Sequence, residues 1–330
     1  MSETALENVD LERVARAHER VNAIRAEIAK VVVGQKDEVE QVLLGFLAAG
    51  HVLIEGAPGL GKTLLVLSLA RTFGGKFARV QFTPDLMPSD VTGHVVFDSQ
   101  SSGFVLRRGP AFTNLLLADE INRASAKTQA ALLEVMQEGQ ITIEGEANPL
   151  APPFMTLATQ NPIEQEGTYP LPEAQLDRFL LKILVQYPSF EEECDIVGRT
   201  TSGRPGDALD VSAVQQVASI EEVLELQRTA ASLLVVERVR EYAVRVVRET
   251  RAWNGVALGA GPRGSIALVR VARAKALLDG RAFVTPDDIK SVAPAVLRHR
   301  LALAPELELE GVGPDAVLAA VLKKVEAPRE

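Results

Sequence analysis

A glycine-rich segment near residue 60 carries the residue types that bind phosphate. Residues 56–63 read GAPGLGKT and match the pattern G-x-x-x-x-G-K-[ST] in full. In such a loop, backbone N–H groups close around phosphate oxygens, the lysine neutralises their charge, and the threonine hydroxyl can ligate Mg²⁺. An apolar run precedes the segment and a helical pattern follows it, as this loop requires. The predicted nucleotide-binding residues are Gly56, Ala57, Pro58, Gly59, Leu60, Gly61, Lys62, Thr63 and Leu64, with Thr63 also a metal ligand.

Two adjacent carboxylates, Asp119 and Glu120, follow a second apolar run, residues 115–118. In an α/β sheet, ligands collect at the carboxyl ends of the strands. We expect Asp119 to hold Mg²⁺ through its water shell, and Glu120 to orient and polarise the water that attacks the terminal phosphate. On its own, an Asp-Glu pair after a strand is more often the solvated start of a loop. Downstream of a complete phosphate loop, the catalytic interpretation is favoured.

The same residues narrow the nucleotide and the reaction. A glutamate directly after the aspartate favours hydrolysis by water over transfer of the phosphate to a second substrate. The chain contains no N-K-x-D guanine signature, so ATP is the expected nucleotide and Mg²⁺ the expected second cofactor. The sequence therefore predicts an Mg²⁺-dependent ATPase.

The elements that must position these residues alternate in type. Between His51 and Tyr187, short apolar runs at residues 52–55, 77–82, 115–118, 154–159 and 180–185 are separated by helical patterns. This alternation predicts a parallel sheet with helices on both faces. Paired short strands around the polar turn 99–103, and a second pair beginning near residue 140, predict two inserted hairpins.

After Tyr187 the strand pattern stops and the remaining patterns are helical. Thr285-Pro286-Asp287-Asp288, for example, has the cap, the early proline and the early acids that begin a helix. We predict an α/β nucleotide-binding core with an N-terminal helix at residues 1–187, followed by a smaller all-helical domain at residues 188–330.

Composition excludes several classes of protein. The chain has 330 residues, enough for about two domains, and a net charge of -9 from 35 basic and 44 acidic residues, which excludes a globally basic nucleic-acid coat. One cysteine, Cys194, excludes an intramolecular disulfide framework. The sequence shows neither a signal-peptide core nor an apolar run of about 18 residues, so we expect a cytoplasmic protein without a transmembrane segment.

Several longer motifs identify a family resemblance. The phosphate loop, residues 118–124 (ADEINRA) and residues 158–162 (ATQNP) resemble the AAA+ ATPases. Residues 81–90 (QFTPDLMPSD) and 167–179 (GTYPLPEAQLDRF) resemble the MoxR family in particular. The resemblance extends from about Val31 to Leu301. It implies an AAA+ core with two inserted hairpins, followed by a helical lid domain.

The resemblance assigns further site residues. Asn161 matches sensor 1, which helps position the attacking water, although Asn-Pro is also a common turn. Arg178 matches the arginine finger, which reaches the γ-phosphate of a neighbouring subunit, although an Asp-Arg pair is usually a surface ion pair. Arg263 matches sensor 2 in the lid, with Gly261 and Gly264 where Ser and Ala are expected. The segment that lines the adenine pocket is matched by Val33, Gly34 and Gln35.

The resemblance also implies a function. It predicts a hexameric ring whose hairpins, near residues 84–108 and 138–152, face a central pore and remodel a protein client. The family often acts beside proteins with a metal-binding von Willebrand factor A domain and helps to insert metal centres. Lys62, Arg178 and Arg263 are expected to form a cationic site for the nucleotide.

Two other functions stay open at this point. One is a nucleic-acid motor or transcription regulator, which the acidic charge and the 5% aromatic content disfavour. The other is a scaffold in which ATP assembles the ring and hydrolysis is incidental. The triplet Arg298-His299-Arg300 is too short to indicate a nucleic-acid patch.

Overall fold

The computed structural model describes residues 10–57, 59–100, 102–161, 167–201 and 209–328. Pro58, a predicted phosphate-loop residue, lies outside these ranges, as do residues 162–166, which follow Asn161.

Strands and helices alternate through the first half of the chain, and helices predominate in the second. The strands are β1 (Val52–Glu55), β2 (Phe77–Gln81), β3 (Gly93–Asp98), β4 (Gly103–Arg108), β5 (Leu115–Asp119), β6 (Gln140–Ile143), β7 (Glu146–Pro149), β8 (Met155–Gln160), β9 (Leu181–Leu184), β10 (Val256–Leu258) and β11 (Ala302–Leu303). The helices are α1 (Leu11–Ala29), α2 (Lys36–Leu47), α3 (Lys62–Thr72), α4 (Pro88–Thr92), α5 (Ala126–Glu138), α6 (Glu173–Leu176), α7 (Phe190–Thr201), α8 (Ile220–Ser232), α9 (Glu237–Ala252), α10 (Pro262–Leu278), α11 (Pro286–Leu297), α12 (Pro305–Leu309) and α13 (Pro314–Lys324).

Five parallel strands form the central sheet in the order β2-β5-β8-β1-β9. Because side chains alternate along a strand, each strand supplies both faces of the sheet. On β5, Leu115 and Leu117 belong to one apolar cluster, which includes α1, α2 and α3, and Leu116 and Ala118 belong to the other, which includes α5. Both faces are thus covered, and the predicted parallel sheet between helices is confirmed.

The two predicted hairpins are present. Strands β3 and β4 pair antiparallel with Phe97 opposite Phe104, and β6 pairs with β7 around a turn at residues 144–145. The rings of Phe97 and Phe104 meet edge to face, with 5.5 Å between centroids, although the two residues are 61% and 80% exposed. The β3–β4 hairpin therefore carries an aromatic pair into solvent.

The C-terminal part of the chain forms a helical lid domain, as predicted. Its helix α11 begins with the predicted cap, which forms a capping box: the Thr285 hydroxyl accepts from the Asp288 N–H while the Asp288 carboxylate accepts from the Thr285 N–H. The prediction of helices alone is wrong in one detail, because β10 and β11 pair antiparallel. Segments of two or three residues are too short to produce a strand period in a sequence.

No described helix is long and apolar enough to cross a bilayer.

His51, immediately before β1, joins three elements of the core. Its Nε2 donates to the carbonyl of Met136 at the end of α5 (2.9 Å), and its Nδ1 accepts from the N–H of Thr156 on β8 (3.0 Å). This arrangement requires the neutral imidazole, because a protonated Nδ1 could not accept. Burial is the largest cause that lowers the pKa of His51 to about 4.

We expect the protein to lose stability as pH falls from about 6.5 towards 4. The unfolded histidine binds a proton in this window and the folded one does not, so stability is fully present above pH 6.5. His51 alone contributes a loss of about 3 kcal/mol, with a slope near 1.4 kcal/mol per pH unit. Urea unfolding measured at several pH values checks this. The slope should flatten in His51→Gln but not in His94→Gln, which changes an exposed histidine of the β3–β4 hairpin; equal slopes in both variants would contradict the assignment.

Candidate functional site

The described phosphate-loop residues have the backbone geometry that their glycines predict. Gly59 and Gly61 have φ angles of +81° and +70°, in the left-handed region that side chains disfavour. Gly56 lies against β9: a Cβ there would be 2.7 Å from the carbonyl oxygen of Val185. Glycine at position 56 therefore lets the loop leave β1 directly beside the neighbouring strand.

The Lys62 side chain is hydrogen-bonded to the phosphate loop itself. Lys62 is the first residue of α3, and its Nζ donates to the carbonyl of Gly56 (2.6 Å). Burial lowers its pKa, and the negative charges of Asp119, Glu120 and Glu55 oppose that shift. The ammonium group is thus within electrostatic reach of both predicted catalytic carboxylates.

The predicted adenine segment contacts the phosphate loop. Gln35 donates from Nε2 to the carbonyl of Leu60 (2.9 Å) and has a φ angle of +51°, while Gly34 has a φ angle of +66°. A Cβ on Gly34 would be 2.7 Å from the Glu192 carboxyl group of α7. Residues 33–35 therefore lie between the phosphate loop and the first helix after β9.

Asp119, the predicted metal ligand, ends β5 and makes two strong contacts. One carboxylate oxygen, Oδ2, pairs with the guanidinium of Arg79 on the adjacent strand β2 (2.6 Å). The other, Oδ1, accepts from the hydroxyl of Thr159 on β8 (2.6 Å). Asp119 is thus oriented from both neighbouring strands.

Glu120, the predicted water-activating residue, has a strained backbone with φ +54° and ψ +51°. Its N–H donates to the Thr159 hydroxyl (2.8 Å). Its Oε2 accepts from Gln81 Nε2 (2.7 Å) and from Arg123 (3.0 Å). The left-handed turn therefore directs the carboxylate towards the end of β2.

Asn161, the predicted sensor 1, is buried and directly follows β8. The preceding residue, Gln160, accepts from the N–H of Gly56. Because β8 lies between β1 and β5, Asn161 follows the strand that separates the phosphate loop from Asp119 and Glu120. The structure therefore brings the phosphate loop, both carboxylates and Asn161 to one edge of the sheet.

The donor set at this edge suits Mg²⁺. Thr63 supplies a hydroxyl and Asp119 a carboxylate, which are hard oxygen ligands. Mg²⁺ in nucleotide sites is typically held by one or two such groups together with phosphates and water, so a larger cage is unnecessary. Among the described residues, no group of three or more His, Cys, Asp or Glu side chains could hold a metal.

The two predicted arginines lie at the opposite edge of the sheet. Strand β9 runs parallel to β1 with Leu181 opposite Val52, and Arg178 precedes β9, whereas the phosphate loop follows β1. A four-residue strand separates the two edges by roughly 13 Å. Arg263 is the second residue of α10, and its guanidinium is 3.7 Å from the carboxylate of Asp177.

Arg178 and Arg263 line one groove of about 270 Å³, together with residues 49–51 before β1 and residues of α5 and α10. Within a single chain, Arg178 and Arg263 therefore lie away from Lys62, and the cationic site expected from these three residues stays a prediction that requires a neighbouring subunit. The reason is topological, because one group precedes a strand and the other follows its parallel neighbour.

Comparison with known proteins identifies the chain. The model of the ATPase family associated with various cellular activities (AAA) matches residues 51–181, and that of the AAA lid domain matches residues 248–321. Chaperone MoxR1 of Mycobacterium tuberculosis is 46% identical over 314 residues, which cover 92% of this chain and 81% of that protein. Protein MoxR of Methylorubrum extorquens is 33% identical over 325 residues, covering 92% and 93%. The chain belongs to the MoxR family of AAA+ ATPases.

A solved structure agrees with this membership. The crystal structure of a protein from Cytophaga hutchinsonii, inferred to be an ATPase, has a TM-score of 0.89 at 41% identity, covering 96% of this chain and 98% of that one. The predicted fold class, family and ATPase activity are thus confirmed. The roles of individual residues in this MoxR-family protein stay predictions.

Sequence reasoning missed three residues around the carboxylates: Arg79, Gln81 and Thr159. Arg79 and Gln81 lie two positions apart on β2, so both face the same side of the strand. That spacing was readable in the sequence. The contacts of these side chains with Asp119 and Glu120 could not be predicted from the sequence, because strand order is set by tertiary packing.

Proposed function

We propose that this MoxR-family ATPase works as a hexameric ring in which each ATP site is completed by the neighbouring subunit. The observation that carries the proposal is a separation within one chain: the phosphate loop lies at one edge of the sheet, and Arg178 and Arg263 both lie at the opposite edge. A single chain has the groups that bind ATP and activate water, but these two arginines are too far away to stabilise the γ-phosphate. We call the edge with the phosphate loop the phosphate edge and the edge with Arg178 and Arg263 the arginine edge. In a head-to-tail assembly, the arginine edge of one subunit meets the phosphate edge of the next.

We propose the following roles for the residues at the phosphate edge. Backbone N–H groups of the loop and Lys62 bind the phosphates, and Glu120 orients the attacking water with help from Asn161. Thr63 and Asp119 would hold Mg²⁺, which neutralises charge on the β- and γ-phosphates when it is bound. Asp119 is oriented for this role by its Oδ2 pair with Arg79.

We further propose that hydrolysis remodels a protein client in the cytoplasm. The exposed Phe97–Phe104 pair supports this, because an apolar pair at a hairpin tip is suited to contact an unfolded or apolar segment. The family resemblance adds the proposal that the partner is a protein with a von Willebrand factor A domain and that the outcome is insertion of a metal centre. The chaperone name of the mycobacterial relative agrees with a remodelling role.

The shared site can be tested by mixing two inactive variants. Arg178→Ala keeps its own phosphate site but cannot complete a neighbour's, and Glu120→Gln completes a neighbour's site but cannot hydrolyse ATP. We expect each variant alone to be nearly inactive, and a one-to-one mixture to recover ATP turnover by about tenfold or more over either, because an arginine supplied in trans is worth at least that much.

Phosphate release measured at fixed total protein gives the readout. Arg228→Ala is the matched control for Arg178→Ala, since it removes an exposed arginine from α8. This control should hydrolyse ATP normally when it is measured alone, without the Glu120→Gln variant. If the mixture is no more active than the two variants alone, the site is not shared between subunits and the proposal fails.

A further inference from the structure

The residues around Arg178 are bound by the lid domain of the same chain. We call residues 177–180, which lead into β9, the finger loop, and residues 298–300, which follow α11, the RHR segment. His299 Nε2 contacts the carbonyl of Phe179 (3.0 Å), and Arg300 Nη2 donates to the same carbonyl (2.7 Å). The RHR segment therefore fixes the backbone directly after Arg178.

Arg300 makes most of these contacts and is 8% exposed. Its Nε donates to Asp177 Oδ1 (2.8 Å), and its Nη1 donates to the carbonyl of Leu180 (3.3 Å). Burial lowers the pKa of Arg300, and the charge of Asp177 opposes that shift. The guanidinium thus spans the finger loop from its first residue to its last, and Asp177 is the carboxylate that balances its charge.

Asp177 also contacts the second predicted arginine. Its Oδ2 is 3.7 Å from Arg263, whose side chain is 58% exposed. One carboxylate therefore lies between a buried lid arginine, which anchors it, and an exposed lid arginine, which lines the groove with Arg178. Asp177 therefore connects the loop that carries Arg178 with the second groove arginine, Arg263.

The unexpected glycine at position 264 leaves room for this arrangement. A Cβ on Gly264 would be 3.2 Å from Leu297 Cδ2 and 3.5 Å from Arg300 Cδ. The first distance is tighter than ordinary van der Waals contact. Glycine at this position thus lets the start of α10, which carries Arg263, pack closely on the end of α11 and on Arg300.

We propose that Asp177 and Arg300 are positioning residues through which the lid of one subunit sets the rate of ATP hydrolysis in the neighbouring subunit. Neither residue belongs to the phosphate edge of its own chain, and both fix the loop that carries Arg178. The inference rests on the proposed function, in which Arg178 acts in trans. It assigns the RHR segment a role that its basic sequence alone does not indicate.

The mixing assay separates this role from a merely structural one. We call the subunit that supplies Arg178 the donor and the subunit whose phosphate site hydrolyses ATP the receiver. When Asp177→Asn is added to the Glu120→Gln donor, the turnover recovered with an Arg178→Ala receiver should fall by about tenfold or more. A misplacement of about 1 Å in a catalytic group can cost a hundredfold. The single variant Asp177→Asn, mixed as a receiver with the Glu120→Gln donor, should recover ATP turnover, because its own phosphate site is unaffected. KM for ATP at the rescued sites should stay close to the value with an unmodified donor.

A second variant and a matched control keep the result interpretable. Arg300→Lys retains the charge but loses the planar fork of donors, so it should weaken donation in the same way. Asp288→Asn removes a different buried carboxylate of the lid, paired with Arg281 at 2.5 Å, and should leave donation unchanged. Thermal unfolding of each variant monitors the fold.

The outcomes distinguish the two proposals. Full recovery with the Asp177→Asn donor, or no rescue of Asp177→Asn as a receiver, would overturn the positioning role while leaving the shared site intact. Absence of recovery in the original Arg178→Ala and Glu120→Gln mixture would instead overturn the shared site itself.

Discussion

Replacement of Lys62 by alanine is expected to lower ATP affinity by about a hundredfold or more. The ammonium group is the basic side chain of the phosphate loop, and a hydrogen bond to a charged group is worth roughly 1.5–3 kcal/mol, or about tenfold to over a hundredfold in binding. Lys62 also faces the carboxylates of Glu55, Asp119 and Glu120. Without the lysine, these charges repel the polyphosphate, so the loss should exceed that of one contact.

Calorimetric titration with ATP and Mg²⁺ at constant salt measures this effect. Lys127→Ala removes the same charge from an exposed position on α5 and should bind ATP normally. The fold of Lys62→Ala should remain, because among the described residues the side chain makes one hydrogen bond, to the Gly56 carbonyl. ATP affinity within a few fold of the original would show that the loop binds nucleotide without its lysine.

The features that could be predicted from the sequence are local. The phosphate loop, the strand before it, the helix after it and the two hairpins each depend on residues close to one another in the chain, and side-chain period or turn chemistry reveals them. The carboxylates at the end of β5 belong to the same class, because an apolar run followed by Asp-Glu is visible in the sequence itself.

The features that could not be predicted depend on strand order and on lid docking. Arg79 meets Asp119 because β2 lies beside β5, although 40 positions separate the two residues in the chain. Arg300 meets Asp177 across 123 positions and a domain boundary. In isolation, both arginines look like ordinary surface charges, since a pattern of residue types holds no information on which distant carboxylate a side chain will reach.

The boundary predicted after residue 187 falls between β9 and α7 and stays a prediction. The contacts of Arg300 with the finger loop cross it, so core and lid share buried polar interactions as well as apolar packing. Such an interface transmits displacement more directly than a flexible linker does. It is consistent with a lid that acts on the finger loop.

Glu120→Gln is expected to lower the turnover number by about 10²–10⁴-fold while ATP affinity stays within a few fold. A positioned general base contributes a factor of this size, and a neutral amide cannot accept the proton of the attacking water. Glutamine keeps a carbonyl oxygen that can accept from Gln81 and Arg123, as Glu120 Oε2 does. The local fold should therefore persist, and the loss should lie in the chemical step.

Single-turnover phosphate release and direct ATP binding, measured on the same preparation, separate the two effects. Glu134→Gln, an exposed glutamate on α5, is the matched control and should hydrolyse ATP normally. Because the variant should bind ATP and remain in that state, it also distinguishes remodelling from scaffolding. A remodelling ATPase would lose all activation of its partner, whereas a scaffold would retain it. An unchanged turnover number in Glu120→Gln would mean that another group activates the water, and Asp119 with its partner Arg79 would be the next to test.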